Sequence, residues 1–284
     1  MKIGLHVGIR QGPLAALNRA RELGLEAMQV LPYRRLPARE EAADGFRWEA
    51  PDPEEAAAFR AARAAGGPRL AAHVRYLPFL AGADDIRREA SVVLLSRELR
   101  FSTLLGAEQL VLHLGAYSPG SSPAEGLRHF VDGAVEALRR AGGGPPLVVE
   151  NVPGGGRRMG GTLEELAAFR ELLAARGVAS LVCLDTAHAW AAGYDVATAE
   201  GMGAFLDRAA GLFGAPALAL FHLNDTVAPR GSHRENHCHW GEGLLGDAGL
   251  KVLLSRSELA GAAGILEMPP GKDEASLAYV RSRS

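Results

Sequence analysis

The chain has 284 residues, of which 48% are hydrophobic and 23% are charged, so it is long enough to bury a sizeable core. Lys and Arg number 31 against 33 Asp and Glu, a net charge of −2, which excludes a uniformly basic protein; a nucleic-acid partner would need a local positive surface. No apolar run approaches the ~20 residues that span a bilayer, the N-terminus turns polar too soon for a signal peptide, and only Cys183 and Cys238 occur, so we expect a cytoplasmic protein with no membrane association and no disulfide framework.

Eight short apolar runs recur along the chain and are predicted to be β-strands. They cover Lys2–Gly8, Ala27–Leu31, Leu70–Val74, Gln109–Leu114, Leu147–Asn151, Leu181–Asp185, Leu218–Leu223 and Gly264–Met268. Continuous hydrophobicity is typical of parallel strands that are buried on both faces. Amphipathic helices are predicted between them, several with a capping residue at the start and a glycine after the end. The clearest of these helices are Pro13–Leu23, Asp52–Ala65, Asp84–Leu105 and Thr162–Arg176.

Eight strand–helix units in a chain of this length favour an α/β fold with one closed (β/α)8 TIM barrel, expected to form a single domain over residues 1–284. A doubly wound open sheet is the alternative. Two of the predicted loops, Pro32–Pro51 and Ala228–Leu245, are long for connections between a strand and a helix. Loops of that length are often functional.

Histidine and carboxylate side chains recur where the predicted strands end, which in a barrel is the face that carries the site. They are His73, His113, Glu150, Asp185 and His188 on strand six, His222, Glu235 and His237 in the following loop, and Glu267. One such residue alone is more often a hydrogen-bonded structural residue. Together, four carboxylates would repel one another without cations. Nine imidazole or carboxylate donors without a thiolate predict two or three ions of Zn²⁺, Mn²⁺ or Fe²⁺.

Three further histidines lie near these positions. His6 ends the first predicted strand and is expected to face the same mouth behind the ligands. His233 and His239 flank the loop ligands, and either could replace one of them. Cys183 lies within a buried strand and is expected to be a small core residue.

At these residues the sequence resembles the endonuclease IV family, apurinic/apyrimidinic endonucleases on a xylose-isomerase-like barrel. The resemblance covers nearly the whole chain, and its specific segments contain Asp-Thr-x-His-x-x-Ala-Ala-Gly-Tyr-Asp, His-x-Asn-Asp and a Gly-Glu-Gly loop. These segments are Cys183–Asp195, Phe221–Thr226 and Gly231–Gly243, with shorter matches at Leu110–Gly115, Val149–Asn151 and Ile265–Pro269.

The resemblance implies three zinc ions per chain, with Mn²⁺ as a substitute at one position. The first ion would be held by His73, His113 and Glu150, the second by Glu150, Asp185, His222 and Glu267, and the third by His188, Glu235 and His237. Glu150 and Glu267 would be the catalytic carboxylates, one bridging two ions and the other orienting or deprotonating the attacking water. The expected substrate is double-stranded DNA with abasic sites, cut on the 5′ side by a monomer to leave 3′-hydroxyl and 5′-deoxyribose phosphate ends.

Some positions depart from the pattern of the family. Glu235 stands where the family has Asp, and Pro32–Leu36 only approximates a DNA-inserting loop of Asn-Gln-Arg type. By resemblance, Tyr76 and Leu77 would wedge into the duplex, and Arg34 and Arg35 are candidate phosphate contacts. Core or rim packing and a solvated face are the alternatives for these four residues. We therefore expect intact metal chemistry and altered DNA contacts.

Two other functions remain open from the sequence. A sugar isomerase or epimerase of the same superfamily needs one divalent ion, for which Glu150, Asp185, His222 and Glu267 would suffice. His188 would contact the substrate, and the donors left without a necessary role, which favours the nuclease, are His73, His113, Glu235 and His237. The second alternative is a barrel that holds metal but has lost activity through its altered DNA loops.

Overall fold

The computed structural model describes residues 1–37, 46–75 and 79–283. Their strands are β1 (Lys2–His6), β2 (Ala27–Val30), β3 (Arg34–Pro37), β4 (Phe46–Glu49), β5 (Arg69–His73), β6 (Gln109–Leu112), β7 (Leu147–Glu150), β8 (Ser180–Asp185), β9 (Leu218–His222), β10 (Asp225–Thr226), β11 (His237–Cys238) and β12 (Ala263–Leu266). The helices are α1 (Pro13–Glu22), α2 (Pro53–Ala64), α3 (Asp85–Leu105), α4 (Pro123–Ala141), α5 (Leu163–Ala175), α6 (Thr186–Ala192), α7 (Ala199–Phe213), α8 (Gly246–Ser255) and α9 (Asp273–Arg281).

Eight parallel strands close into a barrel in the order β1-β12-β9-β8-β7-β6-β5-β2. Each of the eight predicted runs supplies one of these strands, so the prediction of a (β/α)8 barrel is confirmed and the open sheet is excluded. Because β1 pairs with both β2 and β12, no strand of the barrel is left as an edge. Their carboxyl ends consequently meet at one mouth.

Side chains alternate between two apolar layers because successive strand residues point to opposite faces. A small cluster fills the barrel interior and includes Val111, Val148, Cys183 and Ile265. A larger cluster lies between the strands and the surrounding helices. The predicted core role of Cys183 is confirmed, since its side chain is buried.

Local signals fix the ends of the outer helices. Ser122 begins α4 and Thr162 begins α5, and each forms a reciprocal capping box with the glutamate three residues later. Gly106 ends α3 in the left-handed conformation, with φ of 71°, which a residue without a Cβ adopts at little cost. These caps position the helices against the barrel as the sequence predicts.

Some local assignments differ from the sequence predictions. The long loop after β2 contains two strands, β3 and β4, that pair antiparallel, and β11 in the loop after β9 pairs with β10. His188 was expected on the sixth strand, but it lies in the first turn of α6, because Asp185 ends β8 and its carboxylate caps the helix at the backbone N–H of His188.

Among the described residues, no helix is both long enough and apolar enough to cross a bilayer.

Candidate metal centre

Glu150, the last residue of β7, lies at the centre of the barrel mouth and is completely buried. Its Oε2 lies 3.1 Å from His73 Nε2 and 2.9 Å from His113 Nε2. Its Oε1 lies 2.8 Å from His222 Nδ1 and 3.2 Å from His188 Nδ1. One carboxylate therefore faces four imidazoles supplied by four different parts of the barrel, with two imidazoles at each oxygen.

The charges of this group depend on one another. Burial by itself would raise the pKa of Glu150, but His222 and His113 hold that pKa well below its ordinary value. Burial likewise acts to lower the pKa of His73, yet the hydrogen bond and charge of Glu150 outweigh it and the pKa is raised. Without a cation, the buried carboxylate must be neutralised by protonated imidazoles. A divalent ion could do the same for neutral ones.

A second group of donors surrounds His222 at the end of β9. Glu150, Asp185, His222 and Glu267 each offer one ligand atom, and these atoms lie within 4.8 Å of one another. The Oε2 of Glu267 is 3.2 Å and the Oδ2 of Asp185 is 3.9 Å from His222 Nδ1. Although burial opposes it, the charge of His222 keeps the pKa of Glu267 well below its ordinary value. Three carboxylates and one imidazole form a donor set suited to a divalent ion.

A third group lies toward the loop after β9. Asp185, His188 and His237 again offer atoms within 4.8 Å of one another, and His188 Nε2 is 3.5 Å from the carboxylate of half-exposed Glu235. The nearby imidazole of His188 and its positive charge lower the pKa of Glu235 to about 2. The buried Nε2 atoms of His188 and His237 have no hydrogen-bond partner. Buried imidazole nitrogens that lack a partner fit a bound metal ion.

Eight of the nine predicted donors thus occur in the overlapping groups, which are His73, His113, Glu150, Asp185, His188, His222, His237 and Glu267. Glu235 lies at the rim beside His188. Among the described residues, neither His233 nor His239 belongs to these groups. His233 Nδ1 instead lies 2.7 Å from the carbonyl oxygen of Pro153. The geometry therefore favours Glu235 over either histidine as the remaining donor.

Two asparagines hold predicted acidic ligands in place and were not singled out from the sequence. Asn224 donates to Asp185 Oδ2 at 2.6 Å and accepts from the backbone N–H of Glu267 at 2.8 Å. Asn151 accepts from the backbone N–H of Asp185 at 2.6 Å. Both lie in segments that carry the family resemblance, next to or near a predicted ligand. These motifs could therefore have identified the two asparagines as site residues. Side chains of this kind orient metal ligands from behind.

Asp225 fixes the loop that carries Glu235 and His237. Its carboxylate accepts from the backbone N–H groups of Gly241, Gly243 and Leu245 at 3.0–3.2 Å. A Cβ added at Gly243 would lie 2.3 Å from this carboxylate, so the glycine permits the close approach. Because Asp225 is completely buried, its charge is stabilised by these hydrogen bonds.

Replacing Asp225 with asparagine is expected to lower the free energy of unfolding by about 2 kcal/mol, because an NH₂ group would face backbone donors and the charged hydrogen bonds would be lost. Urea unfolding of the metal-free protein measures this change. Asp207→Asn is the matched control, since exposed Asp207 pairs with Arg256 at the surface and should cost less than about 1 kcal/mol. Equal stability of the two variants would contradict the role given to Asp225.

The predicted DNA contacts are only partly described. The guanidinium of Arg34 is paired with Glu55 on α2. Arg35 lies on β3 opposite Trp48 of β4. Tyr76 and Leu77 lie outside the described residues. All four assignments therefore stay predictions.

Glu98 on α3 is a buried carboxyl that the sequence did not single out. It accepts from the backbone N–H of Arg75 at 3.1 Å and lies 3.7 Å from the guanidinium of Arg75. Burial outweighs these contacts and raises the pKa of Glu98 to about 8. Glu98 thereby ties α3 to the chain that leaves β5 just beyond His73.

This raised pKa gives a pH dependence with a definite sign. Between about pH 4.5 and pH 8 the folded protein keeps a proton on Glu98 that the unfolded chain releases, so stability falls as the pH rises. We expect the stability of the wild type relative to Glu98→Gln to decrease steadily from about pH 5 to pH 8. Urea unfolding of both proteins at several pH values measures this, and the comparison cancels the titration of other groups. A constant difference would contradict the prediction.

Comparisons with known proteins agree with this architecture. A family model described as xylose isomerase-like TIM barrel matches residues 17–283. "Endonuclease 4" of Thermus thermophilus is 39% identical, with 96% of this chain and 94% of that protein covered. "Probable endonuclease 4" of Solibacter usitatus is 34% identical, with 99% of this chain and 96% of that protein covered. The predicted family is confirmed by these matches.

Solved structures give the same result. The crystal structure of an endonuclease IV from Thermus thermophilus has a TM-score of 0.83 and 33% identity, covering 100% of this chain and 98% of that one. A D-tagatose 3-epimerase-like protein has a TM-score of 0.68 at 16% identity, covering 99% of this chain and 96% of that one. At such low identity the second likeness shows the fold alone.

Proposed function

Because this chain belongs to the endonuclease IV family of xylose isomerase-like TIM barrels and is an enzyme of that family, we propose that it repairs DNA by cutting the backbone 5′ to abasic sites. The products would be a 3′-hydroxyl and a 5′-deoxyribose phosphate. The observation that carries this proposal is the number of donors at one mouth: four overlapping groups of imidazoles and carboxylates exceed what a single ion can use.

The donors divide into three sets suited to Zn²⁺, with Mn²⁺ as an alternative at one position. His73 and His113 meet at the same oxygen of Glu150, and these three are the proposed holders of the first ion. The proposed holders are Glu150, Asp185, His222 and Glu267 for the second ion, and His188, Glu235 and His237 for the third. The unpartnered nitrogens of His188 and His237 support the third set. Bound zinc would lower the pKa of water, neutralise a phosphodiester and stabilise a departing oxygen.

The protein's own groups would then position the reactants. Glu267 has its Oε1 held by Gln29 at 2.5 Å. Its Oε2 would contact the second ion with one lone pair and use the other to orient a water molecule or accept its proton. Glu150 would keep two imidazole pairs aligned from the centre of the site. An abasic nucleotide lacks stacking and pairing, so it can leave the duplex at low cost and reach the mouth.

A sugar isomerase or epimerase is less well supported. Such an enzyme needs one ion, for which Glu150, Asp185, His222 and Glu267 suffice. His73, His113 and His237 would then have no role, although all three lie within reach of the same acidic groups. The likeness to epimerases concerns the fold only.

The proposal is tested by counting metal ions on the purified protein and by incubating it with a duplex that contains one abasic site. We expect about three zinc ions per chain and incision on the 5′ side of the lesion. Zinc without incision would instead indicate a barrel that has lost activity. One Mn²⁺ per chain together with turnover of a ketose would contradict the proposal and favour the isomerase.

Glu235→Asp is expected to preserve or improve incision, since a shorter carboxylate can still act as a ligand at the rim. Glu235→Ala should instead remove the third ion, because only His188 and His237 of that set would remain and Asp185 beside them is proposed to hold the second ion. Zinc content and incision rate, measured for both variants, distinguish the two outcomes. If Glu235→Ala kept the zinc content and rate of the wild type, Glu235 would not be a ligand.

A further inference from the structure

Gln29 is a completely buried amide in the otherwise apolar strand β2. Its Nε2 donates to Glu267 Oε1 at 2.5 Å, and its Oε1 lies 3.0 Å from His222 Nε2. The Nε2 also lies 3.1 Å from His6 Nδ1. One side chain therefore joins the ends of β1, β2, β9 and β12 behind the metal centre.

The chemistry of the partners fixes the orientation of this amide. An ionised carboxylate can only accept, so the NH₂ group of Gln29 must face Glu267 and its oxygen must face His222. The oxygen can accept only if the Nε2 of His222 carries a proton. In neutral His222, the form that binds a metal ion, the free lone pair is then on Nδ1. This nitrogen faces Glu150 and Glu267, at 2.8 Å and 3.2 Å.

Glu267 is oriented by the same contact. Because its Oε1 is engaged by Gln29, its Oε2 is the oxygen directed at His222 Nδ1. We propose that Gln29 is a positioning residue for the second ion: it selects the ligating nitrogen of His222 and the ligating oxygen of Glu267 at once. This inference rests on the proposed metal-dependent function and extends it to a residue that would not touch the ion or the DNA.

The experiment compares Gln29→Met with the wild type in the zinc-loaded protein. Methionine fills a similar volume without the two hydrogen bonds. We expect one of about three zinc ions to be released to a chelator at a roughly 10- to 100-fold lower chelator concentration, as is typical when the partner behind a ligand is lost. Gln109→Met is the matched control, because Gln109 is also a buried amide but begins β6 at the opposite end of the barrel. It should retain zinc as the wild type does.

A second measurement determines directly which nitrogen of His222 carries the proton. In zinc-loaded wild type labelled with ¹⁵N-histidine, NMR should show His222 with a proton on Nε2 and the metal at Nδ1. Gln29→Glu provides a further variant, since it keeps an acceptor for His222 but repels Glu267. It should preserve the tautomer of His222 and still release one zinc more readily.

The inference is overturned if Gln29→Met and Gln109→Met hold zinc equally, or if His222 of the wild type carries its proton on Nδ1. Both results are separable from failure of the proposed function. A wild type that holds zinc but does not incise contradicts the nuclease, while zinc release and the tautomer still decide the role of Gln29. A wild type that holds no zinc contradicts both.

Discussion

Glu267→Gln is expected to lower the rate of DNA incision by at least about 100-fold while leaving most of the bound zinc in place. The amide keeps an oxygen that can act as a ligand, but it cannot accept a proton from water, and groups in that role contribute roughly 10²- to 10⁴-fold. In this chain the charged state of the carboxyl is strongly favoured, since the imidazole of His222 keeps the pKa of Glu267 low. Incision of an abasic duplex and zinc content are measured on the same preparation.

Glu258→Gln is a suitable control for this variant, because Glu258 is exposed beside Arg256, shortly before β12 begins and therefore away from the mouth. It should cut at the wild-type rate. Full activity of Glu267→Gln would refute the catalytic role. Loss of zinc together with activity would show that Glu267 acts chiefly as a ligand.

The second large effect is expected for Glu150→Gln. Removing this charge leaves His73, His113, His188 and His222 without the carboxylate that they share. We expect the variant to lose the first two ions and, when metal-free, to be less stable by about 3–5 kcal/mol, the usual cost of breaking a buried ion pair. Zinc counting and urea unfolding of the metal-free protein test the two parts separately.

The matched control is Glu108→Gln. Glu108 is also surrounded by cations, pairing with Arg63 and Arg69, but it is partly exposed at the opposite end of the barrel. Glu108→Gln should lower the free energy of unfolding by about 1 kcal/mol or less and leave the zinc content unchanged. If Glu150→Gln retained about three zinc ions, the central bridging role would be wrong.

Local sequence patterns were sufficient to predict the barrel. Buried parallel strands require unbroken apolar runs, and helix ends require caps and glycines, so both leave marks over a few neighbouring residues. The capping boxes at Ser122 and Thr162 are examples. The predicted strand ends were accurate enough to bring eight of nine donors to one mouth, because parallel strands expose their carboxyl ends on the same side.

The sequence predictions were wrong where the backbone hydrogen bonds of a segment can be formed in more than one conformation. Nothing in the pattern of Pro32–Pro51 distinguished a loop from the paired strands β3 and β4, since the pairing depends on the geometry of both strands. His188 was placed on a strand because the helix that holds it is short and starts directly after Asp185. Asp185 both ends the strand and caps the helix, and hydrophobic periodicity does not distinguish these two roles.

The sequence alone specified the strands, the helix caps and the types of candidate metal ligand, because each of these depends on the side chains of a few neighbouring residues. The closed barrel decided which side chains come into contact. Gln29 and Glu267 are 238 positions apart in the sequence, yet the amide of Gln29 donates to the carboxylate of Glu267. Likewise, Glu150 could be recognised as an acid at a strand end, but its contact with four imidazoles arises only when the strands converge. Hydrogen bonds and charges act over a few ångströms in space, and distance along the chain does not reveal which groups come that close.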